Sequence, residues 1–300
     1  LVPLKPKIFA LTFLAMIAFA SNSLLCRAAL RQSGIDAASF TFVRIVSGAV
    51  VLWLIVRTRG ISAARRVSRR DAEKADDDTL TGSWPSAFAL FIYAAAFSFA
   101  YNTLSAGTGA LLLFGAVQAT MIFWGLRSGE HLYPFQWVGV VTAIAGLVVL
   151  LFPGISAPPL IGSVLMLAAG IAWGIYSLRG RSPGDAIAAT AGNFLRGVPF
   201  AAAASIVSLP WLHIDLAGTS YAVVSGAITS GLGYVIWYSA LSGLSASNAA
   251  TVQLSVPVLA ATGGILFLNE PVTLRYALAS VAVLGGIFLV IIEKRHLAGL

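Results

Sequence analysis

The residues able to do chemistry in this 300-residue chain are few, and most are aromatic or neutral. Phe97 and Tyr101 stand four apart, as do Tyr234 and Tyr238, while Phe19 and Asn22 stand three apart, as do Trp173 and Tyr176. On a helix each of these spacings puts the pair on one face. Rings beside an amide or a hydroxyl suit a neutral or apolar molecule with polar ends, the rings holding its side and the polar groups its termini. Helix packing, or an aromatic belt at a membrane surface, accounts for the same residues, so both readings stand open. Asn22, Gln118 and Gln253 add amides in the middle of apolar runs. Away from water such amides need partners, which a wet cavity or a neighbouring helix provides.

Charged candidates are scarcer. Arg44 and Arg196 fall within apolar runs, where each costs about 2.5 kcal/mol or more near a bilayer centre. Each either reaches a helix end or surface, or attracts a carboxylate. Glu130 and Glu270 stand at the starts of apolar runs, and Pro271 follows Glu270. A proline suits a first helical turn, and a carboxylate there interacts favourably with a helix N-terminus. No Asp or Glu lies deep in a run, which argues against simple proton-for-cation exchange. None of the four lysines follows a phosphate-binding glycine loop, and His131, His213 and His296 sit apart. ATP hydrolysis, metal chemistry and a resident cofactor are therefore not expected. Cys26 is the only cysteine and reads as a small buried hydrophobe.

The elements that position these residues follow from composition. Hydrophobic residues make up 58% of the chain and charged ones 10%, and mean hydropathy is +0.89. A soluble domain carries roughly 25% charge, so this chain needs lipid as its solvent. A soluble enzyme, a disulfide scaffold and a disordered chain are excluded. The net charge of +8 is read as topological rather than as a nucleic-acid footprint. Ten runs near the ~20 residues that span a bilayer lie at 8–26, 38–57, 85–104, 107–126, 133–152, 159–178, 187–209, 217–241, 246–268 and 273–292. The one long connector, 58–84, holds a basic block followed by an acidic one and reads as a solvated loop. Lys5, Lys7 and Ala18-Phe19-Ala20 imitate a signal peptide. The first run's part in the repeat described next argues against cleavage.

With the N-terminus inside, 14 Lys and Arg fall in inside segments and three (Arg27, Arg31, Arg275) in outside ones. That bias places both termini in the cytoplasm. The runs also duplicate. At an offset of 140, Glu130 meets Glu270 and Gly146 meets Gly286. YNTLS at 101–105 meets YSALS at 238–242, FVR at 42–44 meets FLR at 194–196, and AF at 18–19 meets AW at 172–173. Runs 1–5 and 6–10 are thus copies. Because five is odd, the second copy enters from the opposite side, giving the inverted repeat of many secondary transporters. Residues 1–152, with the loop 58–84, form one half and 153–300 the other.

The paired FVR and FLR, Trp173-Gly174, and the small-residue run SASNAATVQLSVPVLAATGGILFLNEP at 245–271 resemble the drug/metabolite transporter superfamily in its ten-helix EamA form. Val117 stands where the second copy has Pro257. This departure is similar to amino-acid exporters of the YddG type, whose substrates include aromatic amino acids. The resemblance implies an all-α integral membrane protein of ten transmembrane helices, arranged as two inverted five-helix repeats around a central cavity. It also implies alternating-access export of amino acids across a bacterial inner membrane. The expected partners are a small-molecule substrate and the bilayer, not nucleic acid, and a monomer is plausible. The substrate would be lined by Phe19, Asn22, Phe97, Tyr101, Gln118, Trp173, Tyr176, Tyr234, Tyr238 and Gln253. Rival readings are a drug or other metabolite exporter, a membrane enzyme and a receptor. A lipophilic cation would want a buried acid, which is missing; a phosphate would want several basic residues in the cavity, where the runs offer two arginines at most; and an enzyme would want acids or histidines gathered at one membrane face, where none cluster.

Overall fold

Why these segments become helices is visible at their starts. The Ser83 hydroxyl accepts from Ser86 N–H with Pro85 in the first turn, and Ser105 does the same for Thr108 N–H. The carboxylates of Asp185 and Asp215 accept from Ile187 N–H and Gly218 N–H. Each cap satisfies donors that the helix itself leaves free. A computed structural model describes residues 6–64, 81–129, 131–154, 157–180, 184–244 and 246–298. Glu130 and most of the 58–84 loop lie outside the described residues.

The chain forms ten long helical elements: α1 (Pro6–Gln32), α2 (Ala37–Ala64), α3 (Trp84–Tyr101), α4 (Ala106–Arg127), α5 (Pro134–Leu151), α6 (Leu160–Arg179), α7 (Ala186–Val207), α8, α9 and α10 (Leu274–Ala298). Helix α8 runs as Leu216–Val224 and Gly233–Leu241 around a π-helical stretch, Ser225–Leu232, and α9 as Ala246–Gln253 and Ser255–Leu268. No strand occurs among the described residues. Eight of these helices are long and apolar enough to cross a membrane. The other two are α7, which carries Asn193, Arg196 and Pro199, and α8, which the π stretch divides. Together they make an all-α protein of ten transmembrane helices in two inverted five-helix repeats. α1 reaches Gln32, six residues past the first apolar run. Its 27 residues span about 40 Å, more than the ~30 Å hydrocarbon layer, so Arg27 and Arg31 continue the helix toward the headgroups.

Helix neighbours follow the inversion. α1 packs chiefly against α8 and α9, and its counterpart α6 packs against α3 and α4. α2 lies on α7, α4 on α9, and α5 on α10, each helix beside its own repeat mate. The halves therefore interlock. At the α5–α10 contact the backbones nearly touch: a Cβ on Gly139 would lie 2.5 Å from the carbonyl oxygen of Gly286. This close approach is what small residues allow in a membrane, where dispersion replaces the hydrophobic effect between helices.

Candidate functional site

Aromatic rings from both halves meet at the centre. Trp173 on α6 lies 4.8 Å from Tyr93 on α3, 5.3 Å from Tyr176 and 5.3 Å from Tyr234 on α8, centroid to centroid. Phe19 on α1 meets Tyr234 at 6.0 Å and Trp237 at 5.8 Å, both edge to face. Phe97 continues the row of rings, tilted against Tyr93 at 5.5 Å and edge to face with Tyr101 at 4.7 Å. Tyr93, Phe97, Tyr101, Tyr176 and Tyr234 are buried, while Phe19 and Trp173 are half-buried. Tyr93 stands nine residues into the 18-residue α3, about 14 Å along it and halfway through the helix.

A polar knot threads these rings. Asn22 Oδ1 accepts from Ser225 Oγ at 2.6 Å and Thr229 Oγ1 at 3.3 Å, and its Nδ2 donates to Tyr93 Oη at 3.4 Å. Tyr93 Oη also accepts from Arg44 Nη2 at 3.1 Å, and Arg44 Nε donates to Ser230 Oγ at 3.4 Å. The hydroxyls come from the π-helical stretch of α8, where Thr229 Oγ1 donates back to the Ser225 carbonyl at 2.8 Å. π-Helical segments inside α-helices are frequent at functional sites. Gly226 lets α2 come against this turn, since a Cβ there would overlap the Arg44 carbonyl. Arg44 itself is 2% exposed, with the Tyr93 and Phe97 rings 5.2 and 5.0 Å from its guanidinium carbon.

The expected residues divide. Phe19, Asn22, Phe97, Trp173, Tyr176 and Tyr234 come together, and Tyr101 extends the stack toward the end of α3, its Oη donating to the Ala106 carbonyl at 3.2 Å. Tyr176 Oη donates to Thr190 Oγ1 and accepts from Asn193 Nδ2, both at 3.4 Å. Tyr238, one turn beyond Tyr234, packs half-buried on the same core. Gln118 lies elsewhere, lining an apolar groove of about 220 Å³ between α4, α5 and α10. Gln253 is half-buried at the break in α9. Sequence spacing missed Tyr93, although it continues the Phe97–Tyr101 stripe one turn back. It also missed Ser225, Thr229 and Ser230, whose convergence depends on the π geometry.

The two repeat-related arginines have separate roles. Arg196 donates to the carbonyls of Thr81 at 2.9 Å and Gly192 at 3.1 Å, tying α7 to the start of α3. Nearby, Asn193 Oδ1 accepts from Ser83 N–H at 2.9 Å. On the opposite face Arg27 pairs with Glu270, Nε to Oε1 at 3.0 Å, and donates to the Tyr101 carbonyl at 2.8 Å. Glu270 Oε2 accepts from Ala106 N–H at 2.8 Å. Glu270 does hold a helix N-terminus, but that of α4 rather than of the helix that follows it. A cleft of about 230 Å³ opens at this pair, with Arg31 on its rim. Outside the membrane, burial opposes ionisation of Asp36. Hydrogen bonds from Ser39, His213 and Ala38 outweigh that and hold its carboxyl below the usual range.

Rings from both halves stand here beside an amide, hydroxyls and a guanidinium. Comparison with known proteins agrees with a transporter. An uncharacterized protein of Pseudomonas aeruginosa is 54% identical over 284 residues, covering 95% of this chain and 94% of that protein. The threonine/homoserine exporter RhtA of Escherichia coli is 30% identical over 198 residues, 63% of each chain. One crystal structure shares the fold with a TM-score of 0.62 at 17% identity, covering 98% of this chain and 99% of that one. The model of the EamA-like transporter family matches residues 6–152 and again 160–292, and the chain belongs to that family.

Proposed function

We propose that the protein exports amino acids, aromatic ones among them, across a bacterial inner membrane by alternating access between its inverted repeats. Both termini face the cytoplasm in this reading. The observation that carries it is the mid-membrane cluster of Phe19, Tyr93, Phe97, Trp173, Tyr176 and Tyr234, drawn from both halves and threaded by Asn22. An inverted repeat places its substrate where the halves meet. Each ring contributes about 0.5–1.5 kcal/mol beyond its buried area, so several rings hold a flat side chain without demanding one shape. RhtA, by its name, exports threonine and homoserine, which supports amino acids as the substrate class.

Release to either side requires the ties on that side to part. On the outer side these are the Arg27–Glu270 pair and its bonds to α3 and α4. On the inner side they are the bonds of Arg196 and Asn193 to the start of α3. Opening one set while the other holds is alternating access. The test is counterflow of labelled amino acids into proteoliposomes containing only this protein. Transient accumulation of aromatic amino acids is expected. Its absence across the twenty common amino acids, with folded protein present, overturns the reading.

A further inference from the structure

We propose that Arg44 binds the carboxylate of the transported molecule, so that the carboxylate rather than the ammonium group decides which substrates are accepted. The proposal deepens the amino-acid reading above and rests on it.

Arg44 is a fully buried cation whose polar edge is incompletely used. Nη2 reaches Tyr93 Oη and Nε makes a long bond to Ser230 Oγ, while Nη1 has no hydrogen-bond partner. Both partners are neutral hydroxyls. The one ion pair among the described residues is Arg27–Glu270, and it does not include Arg44. A guanidinium does not shed its proton to escape burial. The ring faces of Tyr93 and Phe97 ease the charge but do not neutralise it.

The other membrane arginines show what a structural role looks like. Arg27 has a carboxylate and two backbone carbonyls, Tyr101 and Asn102. Arg196 has two backbone carbonyls. Arg44 has neither an anion nor a carbonyl, and two rings flank its guanidinium. A buried charge is retained at such cost where it meets an opposite charge. A carboxylate fits the flat guanidinium fork, accepting from Nη1 and an adjacent N–H at once. The substrate's ammonium group has no acid to meet in this knot, only the oxygens of Asn22, Ser225 and Thr229. Recognition is therefore weighted to the anionic end.

The experiment is competition against labelled L-phenylalanine counterflow by four probes: unlabelled phenylalanine, 3-phenylpropionate, phenylalaninamide and phenethylamine. The two carboxylates should compete comparably. The amide and the amine should be weaker by about thirtyfold or more, the scale of losing one partner of a buried charge pair. Arg44→Gln should abolish the difference between the pairs, and Arg44→Lys, which keeps charge without the fork, should shrink it. Equal competition by the amide and the acid in the wild type overturns the Arg44 proposal while leaving amino-acid transport intact. Absence of phenylalanine counterflow overturns the aromatic part of the transport reading instead. Arg44 is then decided by heat-stability shifts of the purified protein with 3-phenylpropionate against phenethylamine: stabilisation by the acid alone supports it, and stabilisation by both or neither contradicts it. If Arg44→Gln does not fold, the wild-type panel alone decides.

Discussion

Neutralising Glu270 should loosen the hold of the end of α9 on α1 and α4. Its Oε1 pairs with Arg27 of α1 and its Oε2 receives Ala106 N–H at the start of α4, while its own N–H reaches the Gly264 carbonyl at the end of α9. The side chains of Arg27 and Glu270 are 10% and 13% exposed. Removing one partner of a fully buried pair costs roughly 3–5 kcal/mol. The residual exposure and the carbonyls that Arg27 keeps from Tyr101 and Asn102 lower that to about 2 kcal/mol for Glu270→Gln. Glu270→Ala also strips the Ala106 N–H of its acceptor, adding about 1 kcal/mol. In a double-mutant cycle with Arg27→Gln the pair should show a coupling of about 1–2 kcal/mol. Unfolding in detergent micelles, followed by tryptophan fluorescence, measures it. A coupling below about 0.5 kcal/mol would show that the pair does not hold these helices together.

Other expectations concern acid, packing and orientation. Asp36→Ala should destabilise by about 1 kcal/mol through loss of an N-terminal cap on α2. Because the Asp36 carboxyl is held below its unfolded value, the wild type has this stability above that unfolded value and loses it as pH falls through the depressed one. The stability gap between wild type and Asp36→Asn should therefore begin to narrow as pH falls below about 4, and a constant gap across the acid range contradicts the assignment. Gly286→Ala should cut the yield of folded protein, because its Cβ would lie 2.7 Å from Ala143 N, whereas a Cβ on neighbouring Gly285 meets nothing within 4 Å. Gly285→Ala should be neutral or stabilise by up to about 1 kcal/mol, and equal harm from both would undo the packing argument. A reporter tag after Asp78 should be shielded inside the cell, following the seven basic residues from Arg57 to Lys74; external labelling reverses the orientation.

Much of the scaffold was legible because lipid imposes simple rules. Backbone polar groups must be satisfied within each span, so apolar run length gave ten helices, and the order of paired blocks gave the inversion. The Phe19, Phe97, Trp173 and Tyr234 set was also legible, since equivalent helices of an inverted repeat face one axis. The polar knot was not. Ser225, Thr229 and Ser230 look like ordinary small residues under a 3.6-residue period, and a π turn changes which of them share a face. Arg44 and Arg196 align in sequence, yet one is buried at the centre and the other ties a loop to a helix. Repeat symmetry sets the backbone path, while each side chain's partners depend on the unlike residues around it. Gln118 shows the same limit: an amide in mid-run signals a need for a partner, not which cavity it faces.

The central claim is that substrate is held by rings from both halves, and the Trp173 series tests it most directly. Trp173 stacks on Tyr176 and Tyr234 and meets Tyr93 at a tilt. Phenylalanine counterflow, normalised to folded protein, should fall at least about threefold to tenfold in Trp173→Ala, the value of one aromatic contact, and Trp173→Phe should keep more activity because stacking area survives. Unstable variants with full transport per folded molecule would contradict the account and make these rings a packed core rather than a binding site.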